Sequence, residues 1–170
     1  MPCRANTLSR LALLAALLAG SEARTLVAQE APSRPWTLTA AFTGLRTGGT
    51  GGVVYGPELG IRRDFGPRWG VELRASLPFL PTNDGAAALD LGPTLTFTRE
   101  RSEFGLTAGA TAFLVGDRGE LADAGIGGFV DGHATAWLSK NVGAVVRANV
   151  RVSGGGNAYP GLSAGLAVRF

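Results

Sequence analysis

The stretch VGAVVRANVRV, residues 142–152, indicates the fold class of this 170-residue chain. Its apolar residues stand at every second position, from Val142 to Val152, and the positions between them include Arg147 and Arg151. A period of two is typical of a β-strand, because successive side chains point to opposite faces of the sheet. The stretch is therefore predicted to be a strand with one apolar face and one charged face.

The same alternation recurs along the chain, and no helical period follows residue 35. The other predicted strands cover residues 36–42, 53–65, 69–80, 88–98, 104–115, 126–138 and 161–170. Short connections (66–68, 99–103 and 139–141) alternate with longer ones (44–52, 81–86, 116–125 and 153–160). Strands of about 10 residues with short turns at one end and longer loops at the other are typical of transmembrane β-barrels.

The faces opposite the apolar ones carry charged residues. In a soluble barrel these side chains would face water, whereas in a membrane barrel the apolar face meets lipid and the charges point inward, where they can pair. The alternation predicts an interior ionic network of Glu58, Arg62, Glu72, Arg74, Asp90, Asp131, His133, Arg147, Arg151 and Arg169.

Large aromatic residues are predicted near strand ends rather than at strand centres. Two aromatic girdles separated by a band of Leu, Val and Ala are what two membrane interfaces select. The predicted interface aromatics are Trp36, Phe42, Tyr55, Phe65, Trp69, Phe79, Phe97 and Phe104.

Five residues fit this pattern imperfectly. Pro57 and Pro93 lie inside predicted strands, where proline cannot donate to the ladder, so bulges or weak registry are expected there. Phe113, Phe129 and Trp137 have the parity of the inward face, and a bulge or a position at the rim is the explanation that the pattern suggests.

The N-terminus has the features of a cleavable signal peptide. Basic residues precede the apolar run 11–19, which is too short for a membrane-spanning helix, and small residues follow it. We expect residues 1–28 to be removed and residues 29–34 to lead into a barrel domain over 35–170. Cleavage there removes three arginines and one glutamate, which brings the formal net charge from +3 to +1. Binding to nucleic acid is therefore not expected.

The last strand carries a pattern of its own. Ser163, Gly165, Val168 and Phe170 fill the places of a polar residue, a glycine and two apolar residues that end in an aromatic. This resembles the C-terminal β-signal of bacterial outer-membrane proteins, and the layout of residues 35–170 resembles small OmpA/OmpX-type barrels. The resemblance implies an all-β, eight-stranded antiparallel up-and-down barrel in the outer membrane. It also implies that the barrel-assembly machinery, membrane lipid and lipopolysaccharide are partners.

The sequence contains only weak indications of a catalytic, metal-binding or cofactor-binding site. His133 alternates with Asp131, as a base oriented by a carboxylate would, but membrane lipid deacylases carry an outward histidine beside a serine, and here Ala134 follows. Asp117, Glu120 and Asp123 lie in a glycine-containing loop, yet their spacing fits no EF-hand. The only cysteine is Cys3, in the predicted signal peptide, so no disulfide or thiol chemistry is expected. We predict no catalytic residue, no metal site and no cofactor.

The predicted function is structural or interactive rather than enzymatic. An eight-stranded barrel is just wide enough for its side chains to fill it, so the interior is predicted to be closed. The loops 44–52 and 116–125 would contact lipid or extracellular partners. The alternatives are a narrow channel for small solutes, a lipid-modifying enzyme and a soluble lipocalin-like barrel. The sequence leaves the oligomeric state open.

Overall fold

The structure is a computed structural model that describes residues 35–46, 52–77, 85–117 and 120–170. The predicted signal peptide, the segment 29–34 and Phe79 lie outside these residues. Within the described ranges there is no helix long and apolar enough to span a membrane.

Eight strands form one closed antiparallel barrel, in which each strand pairs with its neighbours in chain order. The barrel closes where the first strand pairs with the last, from Thr37 opposite Arg169 to Leu45 opposite Gly161. The predicted fold class is confirmed. The strands are β1 (Trp36–Arg46), β2 (Val53–Asp64), β3 (Trp69–Ser76), β4 (Gly85–Arg99), β5 (Ser102–Asp117), β6 (Glu120–Trp137), β7 (Val142–Ser153) and β8 (Ala158–Arg169).

The barrel has a turn end and a loop end. Links 65–68, 100–101 and 138–141 lie at the turn end, together with the start of β1 and the end of β8. The opposite, loop end holds the other links. The interpretation of 116–125 as a loop is wrong, because β5 continues to Asp117 and β6 begins at Glu120. Strand pairing needs only backbone groups, so it continues beyond the segment in which apolar residues alternate.

The wall of the barrel is apolar outside and polar inside. Leu59, Leu106 and Leu166 expose 63%, 57% and 54% of their surface, whereas Glu58 and Arg74 expose 1% and 2%. Exposed apolar surface on this scale is unfavourable in water, and a closed barrel leaves its backbone groups paired, as a lipid bilayer requires. The soluble, lipocalin-like alternative has the opposite polarity.

Neither proline produces a bulge. Pro57 lies opposite Phe42 and Pro93 lies opposite Val71, and both ladders keep one register throughout. The β4–β5 ladder lacks the pairs of Gly92 and Pro93 but resumes in the same register. The prediction of bulges is wrong, and the prediction of weak registry holds only at Pro93.

Phe113, Phe129 and Trp137 lie inside the barrel, with 5%, 4% and 7% of their surface exposed. All three are paired in regular register, and the one shift between β5 and β6 falls at Val115/Gly116. The explanation by local bulges is therefore wrong. These aromatic side chains keep the inward parity of their strands and fill part of the interior.

Candidate functional site

The loop end of the interior is filled by apolar side chains. Leu45, Val54, Ala88, Phe113 and Tyr159 form one buried cluster, the loop-end plug. The rings of Phe113 and Tyr159 pack with centroids 5.6 Å apart. Because these residues come from β1, β2, β4, β5 and β8, the plug reaches across the barrel.

Below the plug, Arg151 binds a group of oxygen atoms from several strands. Its Nη2 lies 2.7 Å from Asp90 Oδ2 and its Nε lies 3.0 Å from Asp90 Oδ1. Its Nη1 donates to Asn149 Oδ1 at 3.0 Å, and Nη2 also donates to Ser76 Oγ at 3.0 Å. The fork geometry of arginine thus ties β3, β4 and β7 together across the lumen.

Glu58 is held mainly by hydroxyl groups. Ser76 Oγ and Ser163 Oγ donate to its two carboxylate oxygens at 3.1 and 3.0 Å. The nearest guanidinium atom is Arg74 Nε, 3.9 Å from Glu58 Oε2. Ser163, one of the predicted assembly-signal residues, therefore has a partner inside the barrel.

Arg74 connects the two halves of the network. It binds Asp90 through Nη2 at 2.9 Å and Asp131 through Nη1 at 2.7 Å. Arg147 then links Asp131, at 3.2 Å, to Glu72, at 2.6 Å. The ring of Phe129 lies under the Arg74 guanidinium at 5.5 Å, which is a cation–π contact.

Nearer the turn end, His133 lies between a cation and a carboxylate. Its Nε2 is 3.2 Å from Arg62 Nη1, and its Nδ1 is 3.5 Å from Asp131 Oδ1. A guanidinium only donates, so Nε2 must accept. The proton of the neutral ring is therefore on Nδ1, facing Asp131. Gly105 lies opposite His133, and a Cβ there would be only 2.3 Å from the ring.

Glu103 is an interior residue that the sequence interpretation placed in a turn. It is buried, 2.8 Å from Arg62 Nη2, and it also accepts a hydrogen bond from Arg169. Asp64 pairs with the same Arg62 at 2.9 Å. The outward parity of Phe104 and Leu106 already implied that Glu103 faces inward, and only the assumed length of the turn concealed it.

The described interior holds six carboxylates and five guanidiniums, so with His133 neutral it carries one net negative charge. The possible metal ligands Glu72, Asp131 and His133 offer donor atoms within 4.8 Å of one another. Arg147 and Arg74 already neutralise the two carboxylates, and Arg62 occupies the imidazole Nε2. A divalent cation would have to displace these guanidiniums, so the arrangement fits a structural network better than a metal site.

The turn end of the interior is closed by Trp137, which packs with Val145 and Ala167. The guanidinium of Arg169 lies 3.8 Å from the centre of the Trp137 indole. Nine of the ten residues of the predicted interior network are buried inside the barrel, and Arg169 is half-buried at its turn-end rim. Glu103 and Asp64 join the network.

The predicted interface aromatics that the structure describes lie on the outer wall near the strand ends. Trp36 is half-buried, and the rings of Phe42 and Tyr55 stack with centroids 6.3 Å apart. The exposed ones are Phe42, Tyr55, Phe65, Trp69, Phe97 and Phe104.

The predicted assembly-signal residues alternate around the closing seam. Val168 and Phe170 are exposed, and the backbone of Phe170 exchanges hydrogen bonds with that of Trp36 at 3.0 and 3.2 Å. A Cβ on Gly165 would lie 2.1 Å from the carbonyl oxygen of Ala40. Only glycine therefore permits the close approach of β8 to β1 at this point.

No protein-family model matches the sequence, and no curated protein matches it either. Solved structures do match. Neisserial surface protein A has a TM-score of 0.59 at 15% identity, with 80% of this chain and 97% of that chain covered. The outer membrane protein OprG from Pseudomonas aeruginosa has a TM-score of 0.59 at 12% identity, covering 79% and 95%.

The attachment invasion locus protein Ail of Yersinia pestis has a TM-score of 0.56 at 13% identity, covering 79% of this chain and 96% of that chain. At these identities the likeness establishes the fold. The chain has the fold of the small eight-stranded outer-membrane β-barrels, with the apolar outer wall of a transmembrane protein.

Proposed function

We propose that the chain is an integral protein of the bacterial outer membrane whose barrel is a closed, non-enzymatic scaffold for its surface loops. The observation that carries this proposal is the filled lumen. The loop-end plug and the ionic network each join strands from opposite sides of the interior, and the Trp137 cluster packs against β6, β7 and β8 at the turn end. A general porin needs an open aqueous path at the same place.

The contacts of His133 support a structural role over a catalytic one. Arg62 and Asp131 face its two ring nitrogens, and Gly105 lies against the ring. A general base must have a free nitrogen within reach of a substrate proton. The interior histidine therefore serves the network, and the barrel works through its outer surfaces.

The loop end is the proposed surface for extracellular partners. The predicted loop 44–52 lies largely outside the described residues, and β5 and β6 form a long hairpin beyond the plug. One structural neighbour is an attachment protein by name, which makes contact with surface molecules a reasonable role for the loop end. Lipopolysaccharide is the proposed neighbour of this end of the wall.

The two ends of the chain have proposed roles in export and assembly. Residues 1–28 direct export and are removed, and residues 35–170 fold as the barrel. Ser163, Gly165, Val168 and Phe170 present β8 to the barrel-assembly machinery, and the exposed Val168 and Phe170 are accessible for recognition. The outward aromatics lie at the two lipid–water interfaces.

Single-channel recording of the purified protein in planar bilayers tests the closed lumen. We expect no stable large conductance from the native protein. The variant Arg74→Ala/Arg151→Ala removes two of the guanidiniums that cross the lumen and should raise the frequency of opening events. The matched control Val146→Ala changes the outer wall only.

A steady large conductance from the native protein would overturn the proposal in favour of the channel alternative. The closed-lumen proposal is supported if the native protein and the Val146→Ala control show no conductance while the double variant shows channel openings. Heat-modifiable mobility on SDS gels confirms that each variant is folded before it is recorded.

A further inference from the structure

The exposed charges at the turn end have one predominant sign. Five basic side chains are exposed there, and among the described residues Glu100 is the one exposed carboxylate at this end. We call this group the turn-end collar: Arg63, Arg68, Arg99, Arg101 and Lys140.

At the rim of the turn end, the collar thus sets five exposed basic side chains against one exposed acidic side chain. A basic collar next to a bilayer attracts anionic headgroups, and the effect is local because salt screens it.

Two collar residues are stacked on aromatic rings of the outer wall. The Arg63 guanidinium lies 5.2 Å from the Trp36 ring and 5.3 Å from the Phe65 ring, and Arg68 lies 5.8 Å from Phe97. Interfacial aromatic rings mark the level of the lipid headgroups. The stacking therefore holds these cations at the depth where phosphate groups lie.

A cleft of about 410 Å³ opens between the links 100–101 and 138–141. Arg101, Lys140 and Arg169 line it, with Glu100 as the one carboxylate of the lining. The link 100–101 is held to the end of β6, where the backbone N–H of Trp137 donates to the carbonyl oxygen of Arg101 at 2.7 Å. The cleft is thus a fixed part of the barrel rim with a basic lining.

Two donors on the lining residues have no acceptor. Trp137 is 93% buried, and its Nε1–H makes no hydrogen bond, nor does the buried Nε–H of Arg169. A buried donor without a partner is unfavourable and calls for a ligand or another explanation. An oxyanion bound in the cleft supplies acceptor oxygens of the required kind.

We infer that the turn end binds the phosphate of an anionic glycerophospholipid, with one headgroup in the cleft and others along the collar. Arg101 and Lys140 supply the charge, Trp137 and Arg169 supply donors, and Glu100 weakens the binding. The inference rests on the proposed membrane placement for the identity of the ligand. Its test in detergent is independent of conductance, so the two proposals fail separately.

The test is native mass spectrometry of the folded protein in non-ionic detergent, titrated with phosphatidylglycerol and, separately, with phosphatidylcholine. We expect Arg101→Gln/Lys140→Gln to lower the affinity for phosphatidylglycerol by about ten-fold without changing that for phosphatidylcholine. Trp137→Phe keeps an aromatic ring at this position and removes the donor, so it should lower the affinity by about three-fold. Glu100→Gln should raise the affinity.

Arg46→Gln is the matched control, since Arg46 is an exposed arginine at the loop end. An unchanged affinity in the double variant, or an equal loss in the control, would overturn the inference. Displacement of phosphatidylglycerol by an equal concentration of inorganic phosphate would assign the cleft to a free anion and overturn the lipid assignment. All variants are first shown to be folded by heat-modifiable gel mobility.

Discussion

Arg151 and Arg62 are both guanidiniums inside the barrel, but their hydrogen bonds differ. In the loop half, each nitrogen of Arg151 donates, to Asp90, Asn149 or Ser76. In the turn half, Arg62 Nε lies 2.9 Å from Asp64 Oδ1 without the angle of a hydrogen bond. Its other nitrogens contact His133, Asp64 and Glu103.

The difference extends to the neighbours of these two arginines. Buried polar atoms without a hydrogen bond are concentrated in the turn half, where they include Glu103 Oε1, His133 Nδ1, Trp137 Nε1 and Arg169 Nε. In the loop half, Asn149 Nδ2 is such an atom. Polar groups beneath the apolar plug must be bonded by protein, whereas groups near the turn mouth can bind water or a ligand. The loop half is therefore the rigid brace of the barrel, and the turn half is the adaptable part.

The substitution Arg151→Met is expected to have the largest effect on stability. It removes the hydrogen bonds from Arg151 to Asp90, Asn149 and Ser76 beneath the plug, although Asp90 keeps the guanidinium of Arg74. The loss should lower the free energy of unfolding by about 3–5 kcal/mol. Equilibrium unfolding in urea, followed by tryptophan fluorescence of the barrel in phospholipid vesicles, measures this. The control Arg46→Met, at an exposed site, should leave the free energy of unfolding unchanged. A loss below about 1 kcal/mol in Arg151→Met would show that Arg151 does not brace the loop half.

The substitution Arg62→Met should cost less, about 2 kcal/mol by the same measurement. Glu103 keeps Arg169 as a partner, and Asp64, which loses the guanidinium of Arg62, is only partly buried near the turn mouth. A cost equal to that of Arg151→Met would show that the turn half is braced as firmly as the loop half.

The substitution Gly105→Ala should have the smallest effect, about 1 kcal/mol. Its new methyl group would lie 2.3 Å from the His133 ring, which must shift and weaken its contact with Arg62. The matched control is Gly132→Ala on β6, where the nearest atom is Leu106 Cδ2 at 3.6 Å. The ring signals of His133 in NMR spectra should move in Gly105→Ala and stay in place in Gly132→Ala; equal changes in both would contradict this account.

Alternation alone was enough to predict the eight strands, because the faces of a membrane barrel differ so strongly in polarity. Stretches such as 142–152 and 69–80 carry an uninterrupted apolar face in the sequence, and the structure forms β7 over the first and β3, Trp69–Ser76, in the second. The ends of the strands were harder to predict. The pairing of β5 with β6 continues to Asp117 and Glu120, beyond the segment in which apolar residues alternate in the sequence. At its other end, β5 begins early enough to place Glu103 inside.

The ion-pair partners within the network could not be predicted from the sequence. Arg74 binds Asp131 from β3 to β6, across the lumen and 57 positions apart. Such a pair depends on the stagger of all the strands between them, which no local pattern contains. The packing role of Gly165 could not be predicted from the sequence either. Its pattern suggested a recognition signal, and the structure also shows that β8 can approach β1 closely only with glycine at this position.

The most direct test of the inside-out barrel is fractionation of cells that express the chain, followed by SDS gels of the outer-membrane fraction with and without boiling. We expect the protein to be found in that fraction and its mobility to change on boiling, as is typical of a stable inserted barrel. A soluble periplasmic protein without such a change would contradict it, because the apolar outer wall would then have to face water.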